Sequence, residues 1–457
     1  MSEQAVSGGE IRIVLAGTDE GRDLTKLADY RAVGGYAQLE RARRMEPDQV
    51  LDELLAADVR GRGGAGFPMG RKASFLPKPD RRTQPAYLVV NADESEPGTF
   101  KDRQIIEQVP HRLIEGCLIT AWAIQANAIF IYIRGEYLEP FEILRRALDE
   151  AREEGLVSTP VVLHRGAGAY ICGEETALLE SLEGKRGQPR SKPPFPALSG
   201  LYASPSLINN VETIATVPKV IELGGAEYAK IGAPDHHSSG TRLFSLSGNV
   251  VNGGNFEVPL GTTLRELIYD FGGGIADGRS LKAIIPGGSS VPVLTAAQVD
   301  TPLDFDSIAA AGSMLGSGAV IVLDDRCCMV QLGLRVAQFY MHESCGKCTP
   351  CRVGTRWLVQ LLHKIEDGHA SQADLELLLD VCDRILGKCL CPLGDAAAMP
   401  VASYIDRYRE EFQAHFDRGC PMKGSSPLDD VFAPVDQGHF DQGHSGIPEW
   451  SREAANV

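Results

Sequence analysis

The 457-residue sequence lacks the features that would assign it to a membrane or to nucleic acid. Its 45 basic residues are outnumbered by 61 acidic ones, and the net charge of −16 argues against a nucleic-acid partner. The longest apolar stretch, near residues 118–133, is interrupted by Gln125 and Asn127 and is too short to span a bilayer. We therefore expect no direct membrane span, so any work at a membrane requires a partner.

The N-terminus also lacks a basic segment followed by an apolar one, and it is not Arg-rich and amphipathic. It predicts neither a secretory signal nor a transit peptide, and the expected compartment is the cytoplasm. The 11 cysteines of such a chain are expected to be thiols and metal ligands rather than a disulfide framework. With 43% hydrophobic and 23% charged residues, the composition is that of a soluble protein with a large core.

A run of three cysteines at C-x2-C-x2-C spacing is the most informative motif, in the sequence ESCGKCTPCR at residues 343–352. Thiolates at this spacing share one tight loop and can face a single inorganic core. A later Cys-Pro pair, in CPLG at 391–394, resembles the end of ferredoxin cysteine runs, so the motif favours an iron–sulfur cluster. Zinc is the alternative, although structural zinc sites usually carry two separated C-x2-C pairs.

Three cysteines are candidates for the fourth ligand of this cluster. Cys382 falls within an apolar helical pattern, which predicts a core thiol. Cys389 and Cys391 are separated only by Leu390, and both remain candidates. We favour Cys391 because Pro392 follows it.

Strand and helix patterns alternate through the first half of the chain. Strands are predicted at residues 11–15, 86–91, 128–133 and 161–164. Helices are predicted at residues 47–57, 113–125, 140–155 and 176–183. This alternation predicts an α/β domain. Beyond about residue 235, a hairpin around Asn252-Gly253 begins a small second unit, and later helical patterns predict a bundle. The bundle helices are expected at residues 330–342, 353–366, 372–386 and 394–416.

Two Gly-rich stretches are candidate phosphate-binding loops. Residues 61–66 match G-x-G-x-x-G, but a helix precedes them, so an ordinary Rossmann site is not expected. Clustered glycines still let backbone N–H groups close on an anion, and nearby basic residues favour this over a plain tight turn. The second stretch, residues 166–175, ends at a predicted helix start that attracts phosphate or polar groups. Ordinary capping by its two glutamates is the alternative.

Acidic and aromatic loop residues complete the candidate site. Asp93, Glu94 and Glu96 follow a predicted strand, where α/β sheets bind ligands, although a solvated loop explains them equally well. Loop phenylalanines beside basic residues suit a nucleotide base, with core anchoring as the alternative. These phenylalanines are Phe67, Phe75 and Phe195.

An iron–sulfur cluster accepts one electron, whereas a nicotinamide delivers two as hydride. A chain that handles both needs a carrier that accepts two electrons and releases them singly, and flavin does this. Two phosphate-binding loops in one domain fit two nucleotides. The residues therefore predict a flavin between a nicotinamide and the cluster.

Several motifs in order resemble the NADH-binding flavoprotein (51-kDa-type) subunit of respiratory complex I. They are RGRGGAGFP at 60–68, NADESEPGTFKDR at 91–103, GAGAYICGEETA at 166–177, KPPFP at 192–196, NNVET at 209–213 and the cysteine set. The resemblance extends from about residue 30 to residue 416.

The resemblance implies hydride transfer from NADH to FMN and single-electron transfer through a [4Fe–4S] cluster. The residues implied for FMN are Gly61, Arg62, Gly63, Lys72, Asn91, Asp93, Glu94, Tyr170, Gly173, Glu174, Glu175, Asn209, Asn210 and Thr213. The residues implied for NADH are Gly64, Ala65, Gly66, Phe67, Phe75, Glu96, Glu175, Lys192 and Phe195. The implied cluster ligands are Cys345, Cys348, Cys351 and Cys391. No acid or base is expected, and Glu96, Tyr170 and Glu175 are expected to position the reactants.

The implied architecture has four parts. They are an α/β FMN- and NADH-binding domain (residues 1–235), a ubiquitin-like β-grasp domain (236–327), a four-helix bundle with the cluster (328–418) and a mostly disordered tail (419–457). The implied partners are a thioredoxin-like [2Fe–2S] subunit and a larger iron–sulfur subunit, through which quinone is reached. The expected location is the cytoplasmic face of a membrane.

Three features depart from the family pattern. Cys389 occupies a position where a small non-ligand residue is expected, the Cys327-Cys328 pair is interpreted as two core thiols, and the tail after Gly419 carries no family pattern. Two other functions stay open. One is a diaphorase subunit of a soluble NAD-linked hydrogenase or formate dehydrogenase. Because the first motif lies near the start, the thioredoxin-like fusion of some diaphorases is not expected. The other is a non-enzymatic scaffold that binds zinc and a nucleotide.

Overall fold

A four-stranded parallel sheet forms the centre of the first unit in the computed structural model, which describes residues 11–428. Its strands are β1 (Tyr87–Ala92), β2 (Ala128–Ile133), β3 (Val161–Arg165) and β4 (Ser206–Asn210). The larger helices around it are α1 (Leu27–Ala32), α2 (Ala37–Arg43), α3 (Pro47–Ala56), α4 (Met69–Ser74), α5 (Lys101–Gln108), α6 (Pro110–Ala123), α7 (Leu138–Glu153) and α8 (Glu175–Leu182). The unit ends with α9 (Pro196–Ser199), α10 (Val211–Ala215), α11 (Val217–Leu223), α12 (Gly225–Tyr228), β5 (Gly232–Ala233) and β6 (Ser238–Ser239).

The order β3-β2-β1-β4 decides where this sheet can bind a ligand. Strand β1 has continuous apolar side chains because helices cover both faces, and Leu88, Val89 and Val90 are fully buried. The strand order reverses between β1 and β4, which makes their carboxyl ends a topological switch point. Asn91 and Asn210 are register partners at that point. The fold therefore places two predicted site residues side by side.

The strand predicted at residues 11–15 is wrong. This segment is not in a strand, and its backbone N–H groups donate instead to the buried carboxylate of Glu257, over 2.9 Å from Ile13, 2.8 Å from Val14 and 2.9 Å from Leu15. The carboxylate belongs to a strand of the second unit. A distant partner therefore satisfies the donors that a neighbouring strand would have paired.

The second unit contains a five-stranded mixed sheet of order β10-β9-β11-β7-β8. Its elements are β7 (Thr241–Gly248), β8 (Gly254–Pro259), β9 (Leu281–Ile285), β10 (Leu294–Thr295), α13 (Phe305–Ala310) and β11 (Ala319–Asp324). Strands β7 and β8 form the predicted hairpin, and β11 returns parallel to β7. A π-helix at Glu266–Phe271 replaces the ordinary helix expected there.

Four long helices form the third unit. They are α14 (Met329–Glu343), α15 (Thr349–Glu366), α16 (Gln372–Ile385) and α17 (Leu393–Ala414). Apolar side chains from all four fill one core with the loop-facing residues of the first unit. Within the described residues, no helix is long and apolar enough to cross a membrane.

The first residues of the predicted tail pack against this bundle instead of leaving it. Cys420, Met422 and Leu428 contact the apolar core of the bundle. This packing differs from the disorder expected from residue 419 onward. The predicted disorder of residues 429–457 lies outside the described residues.

Candidate functional site

A cavity of about 390 Å³ lies where the three units meet. Of the predicted site residues, those lining it are Arg62, Gly63, Gly64, Ala65, Asn91, Asp93, Glu94, Glu96, Tyr170, Gly173, Glu174, Asn210 and Cys391. They come from both Gly-rich loops, from the carboxyl ends of β1 and β4, and from the start of α17. The fold thus joins motifs that are far apart in the sequence.

The first Gly-rich loop is closed at its base and exposes its backbone at its tip. A bridge between Arg60 and Pro68 closes it, and the Arg62 N–H donates to Thr213 Oγ1 over 2.9 Å. Gly64 has a φ of +137°, and a Cβ there would meet no described atom within 4 Å. A β-carbon at Gly63 would lie 3.1 Å from Asn210 Cβ. Glycine therefore allows the backbone of this loop to approach a ligand closely.

The Arg62 side chain does not point its charge into the cavity. Its guanidinium is fully buried and donates to the carbonyls of Ser239 and Thr241, over 2.8 and 3.0 Å. Gly66 is required by packing, because a Cβ there would lie 2.4 Å from the Phe305 ring. These two positions join the loop to the second unit.

Two acidic side chains at the end of β1 have strongly raised pKa values. Burial raises the pKa of Asp93 to about 7, although Ser95 Oγ donates to its carboxylate over 2.9 Å. Burial also raises the pKa of Glu94 to about 7. The Glu94 carboxylate accepts the backbone N–H groups of Asp102 and Arg103, so it caps α5. Asp93 is therefore the more available of the two for a ligand.

Glu96 is held by all three units. Its carboxylate accepts the Tyr170 hydroxyl over 2.7 Å and the backbone N–H of Ser290 over 2.8 Å, with the Tyr340 hydroxyl at 3.4 Å. Burial raises its pKa. The arrangement fixes Glu96 and Tyr170 in the cavity wall, as expected for positioning residues.

Beside the cavity, Glu175 bridges two lysines. Lys72 Nζ donates to one carboxylate oxygen over 3.1 Å, and Lys192 Nζ donates to the other over 2.8 Å. Burial alone raises the pKa of Glu175, but the two ammonium groups outweigh burial and hold the pKa below its usual value. Glu174 caps α8 through one oxygen and accepts Lys192 through the other. The capping alternative is therefore correct for Glu174, which also lines the cavity.

The three predicted phenylalanines are unusually exposed for aromatic side chains. Phe67, Phe75 and Phe195 are 43%, 51% and 57% exposed. The rings of Phe67 and Phe75 lie 6.0 Å apart between centroids. These exposures contradict the core-anchor alternative and leave apolar faces for a ligand.

The cysteine loop is docked against the first unit. Lys347 Nζ donates to the Pro189 carbonyl over 2.6 Å, and the Tyr170 N–H donates to Glu343 Oε2 over 3.2 Å. Cys345, Cys348, Cys389 and Cys391 pack against the same core, where Cys351 is buried. Since Cys391 also lines the cavity, one thiol connects the cysteine group with the Gly-rich loops.

The structure adds cavity residues that the motifs did not single out. These are Ser95, Thr99, Lys101, Asp102, Ile171, Ser290, Val291, Met314, Gly316, Ser317, Pro392, Leu393, Ala396 and Met399. Lys101 and Asp102 lie inside a quoted motif, so position in that motif was an available signal. The residues from 290 to 317 reach the cavity only because the second unit docks there, and no local pattern predicts that contact.

The donors at this site fit a bound nucleotide. Asn209, at the end of β4, has a buried side-chain nitrogen that finds no hydrogen-bond acceptor among residues 11–428. A buried donor of this kind is normally satisfied, so an acceptor from a bound molecule is expected. The exposed backbone of the Gly-rich loop fits a phosphate. An α/β nucleotide domain joined to a cysteine-bearing bundle defines the class of iron–sulfur flavoproteins.

Comparisons with known proteins agree with this class. Three family models match: the Nuo51 FMN-binding domain over residues 54–219, the SLBB domain over 243–294, and the NADH-ubiquinone oxidoreductase-F iron-sulfur binding region over 331–415. The NADH-quinone oxidoreductase F subunit of Rhizobium meliloti that is numbered 2 is 50% identical over 407 residues, covering 87% of this chain and 96% of that protein. The corresponding protein of Streptomyces coelicolor is 49% identical over 403 residues, covering 86% and 89%.

Solved structures of a NAD+-reducing [NiFe]-hydrogenase are also similar. The H2-reduced form has a chain that aligns with a TM-score of 0.75 at 37% identity, over 81% of this chain and 62% of that one. The air-oxidized form gives a TM-score of 0.78 at 33% identity, over 94% and 72%. This chain thus spans less than two thirds of the first hydrogenase chain.

This chain belongs to the family of NADH-quinone oxidoreductase F subunits. The resemblance inferred from the motifs is therefore confirmed, as are the fold class, the oxidoreductase activity of the NADH dehydrogenase module, and the cofactors FMN and [4Fe–4S]. Membership in this family implies that the chain has partner subunits.

Proposed function

We propose that this chain is the electron-input subunit of a respiratory NADH:quinone oxidoreductase. The observation that carries the proposal is the shared cavity, whose wall contains the Gly-rich loop, the end of β1 and Cys391. The chemistry that FMN supplies when bound is the conversion of a two-electron hydride into two single electrons. The chain itself holds and orients the reactants.

We assign the FMN side of the cavity to the Gly-rich loop and the switch point of the sheet. Backbone N–H groups at Gly63 and Gly64 suit a phosphate, because no side chain covers them. Asn91, Asp93 and Asn210 offer polar atoms at the carboxyl ends of β1 and β4. Thr213 does not line the cavity and acts through the Arg62 backbone, so we assign it a supporting role.

We assign the NADH side to the exposed aromatic rings and the Lys72–Glu175–Lys192 network. The rings of Phe67 and Phe75 offer stacking surface for a base. The two lysines offer positive charge for phosphates, while Glu175 fixes their positions. Glu96 and Tyr170 restrict the cavity between the two sides, which suits positioning of the reactants.

We assign the exit of electrons to Cys345, Cys348, Cys351 and Cys391. Their loop contacts the first unit through Lys347, so cluster and cavity sit on one rigid junction. The proposed recipients are a thioredoxin-like [2Fe–2S] subunit and a larger iron–sulfur subunit, which lead to quinone. The proposed location is the cytoplasmic face of the membrane, attached through those partners.

Anaerobic titration of the purified protein with NADH tests this function. We expect a flavin spectrum that NADH bleaches, together with about four irons per chain for the cluster. The bleaching isolates hydride transfer, and the iron count tests the cysteine loop separately. A colourless protein with zinc in place of iron would contradict the proposal and support the scaffold alternative.

Replacing Phe75 with alanine is expected to weaken NADH binding without loss of flavin. Because aromatic stacking contributes about 0.5–1.5 kcal/mol, KM for NADH should rise by about 3–10-fold while kcat changes little. Steady-state kinetics with an artificial acceptor measures both constants. Trp357→Ala is the matched control, since Trp357 is also 51% exposed but lies on α15. An equal rise in KM for both variants would remove Phe75 from the NADH side.

A second function has some support. The solved hydrogenase chains share the fold, which fits a diaphorase subunit of a soluble enzyme. Affinity purification from the native membrane and soluble fractions separates the two functions. Co-purification with quinone-reducing membrane subunits supports the respiratory role, whereas a soluble hydrogenase or formate dehydrogenase partner supports the other.

A further inference from the structure

Four side chains with metal-binding atoms meet at the end of the bundle opposite the cysteine loop. Cys328 directly precedes α14, Glu366 ends α15, and His415 follows α17. Cys420 reaches the same point from the segment after the bundle. The cysteine loop joins the other ends of α14 and α15, and the 15 residues of α14 separate the two places by about 22 Å. The group is therefore distinct from the cluster site.

The spacing of these atoms matches a metal coordination shell. Cys328 Sγ lies 3.6 Å from Cys420 Sγ and 3.3 Å from His415 Nε2. His415 Nε2 lies 3.5 Å from Glu366 Oε2, and all four ligand atoms fall within 4.8 Å of one another. Tetrahedral zinc with bonds of about 2.0–2.3 Å separates its ligand atoms by roughly 3.3–3.8 Å. The three measured edges fall in that range.

The surrounding contacts orient the four groups. His415 Nδ1 lies 2.8 Å from the Glu411 carbonyl, so it can donate there while Nε2 faces the thiols and carboxylate. Gln331 Nε2 donates to Glu366 Oε1 over 3.1 Å, which turns Oε2 toward the group. Such second contacts are typical of metal ligands, because they fix the tautomer and the ring or carboxylate orientation.

The composition of the group also calls for a cation. Glu366 Oε2 is buried, and among the described residues no side chain or backbone group donates a hydrogen bond to it. Two thiols, one imidazole and one carboxylate are ligand types that zinc accepts together. The alternative for the two thiols is a disulfide, which would leave the imidazole and carboxylate without a shared purpose.

We propose that Cys328, Glu366, His415 and Cys420 form a structural zinc site. On coordination each thiol loses its proton to solvent, and Zn²⁺ gains four ligands without any change in oxidation state. The site ties the segment after α17 to the ends of α14 and α15. It explains why residues 419–428 pack against the bundle although their sequence predicted a disordered tail.

Metal analysis of the holoprotein tests the site. After passage over a chelating resin, we expect roughly one zinc per chain in addition to about four irons. Cys420→Ser and His415→Gln should each lose the zinc while keeping iron and flavin. Cys327→Ser is the matched control: this buried thiol precedes Cys328 in the chain but faces Asn249 Oδ1 at 3.2 Å, so the variant should keep the zinc.

Cobalt provides a second readout that does not depend on the folding of any one variant. Co²⁺ added to the chelator-treated holoprotein should give a thiolate-to-cobalt absorption band, and Cys420→Ser should lose it. Absence of zinc with a Cys328–Cys420 disulfide peptide in the mass spectrum would overturn the proposal. So would zinc that disappears in Cys345→Ser but persists in Cys420→Ser, since that metal would be adventitious at the cluster site.

Discussion

Alanine at position 391 is expected to abolish the iron–sulfur cluster while leaving the flavin in place. Cys391 lies at the start of α17 and lines the cavity, so its thiol faces the region between the Gly-rich loops and the other cysteines. Without it, three ligands remain for a cluster that needs four. Iron should fall from about four per chain to near zero, whereas NADH should still bleach the flavin. Iron analysis and anaerobic titration measure the two effects on one sample.

Cys389→Ala is the matched control for this prediction. Burial raises the pKa of both thiols to about 12, so acidity does not distinguish them. Their positions do: Cys389 Sγ lies 3.6 Å from the Ile385 carbonyl, and a Cβ on Gly394 would lie 2.3 Å from it. This thiol packs against the helix turn and does not line the cavity. We expect Cys389→Ala to keep its iron, and the opposite pair of iron counts would assign the fourth ligand to Cys389.

Local sequence patterns were sufficient for most of the helices and central strands. Strand β2 was predicted with its observed bounds because a continuous apolar run, buried between helices, suits a central parallel strand. The segment at residues 11–15 has the same character, yet it is not a strand. Its donors are satisfied by Glu257, which is more than 240 residues away, as the separation of Val14 and Glu257 shows. Only the docking of the second unit creates that partner.

The same distinction separates the predicted and unpredicted parts of the site. Asn91 and Asn210 were found because both end parallel strands within family motifs. Ser290 was not found, since its N–H reaches Glu96 only through the packing of two units. Cys328 and Cys420 were interpreted as a core thiol and part of a disordered tail, because their proximity follows from helix packing rather than from spacing in the sequence.

Replacing Lys101 with methionine is expected to destabilise the junction between the first two units. Lys101 is fully buried, and its Nζ lies 2.7 Å from Asp102 Oδ1 and 2.9 Å from Glu212 Oε2. Burial alone lowers the pKa of Lys101, but the neighbouring carboxylates outweigh it and raise the pKa. Loss of one partner from a buried ion pair costs about 3–5 kcal/mol, because it leaves the other charges buried without compensation. Urea unfolding at pH 7 should measure a loss of that size.

Two comparisons separate this charge effect from a general effect of mutation. Lys230→Met removes an exposed partner of Glu227 and should leave the free energy of unfolding near that of the wild type. Adding Glu212→Gln to Lys101→Met should recover part of the loss, because it removes one of the stranded charges. Recovery will be incomplete, since Glu212 Oε1 also accepts the Leu243 N–H over 2.8 Å and so links the second unit to the first. If the double variant were less stable than Lys101→Met, packing rather than charge would be the main contribution of Lys101.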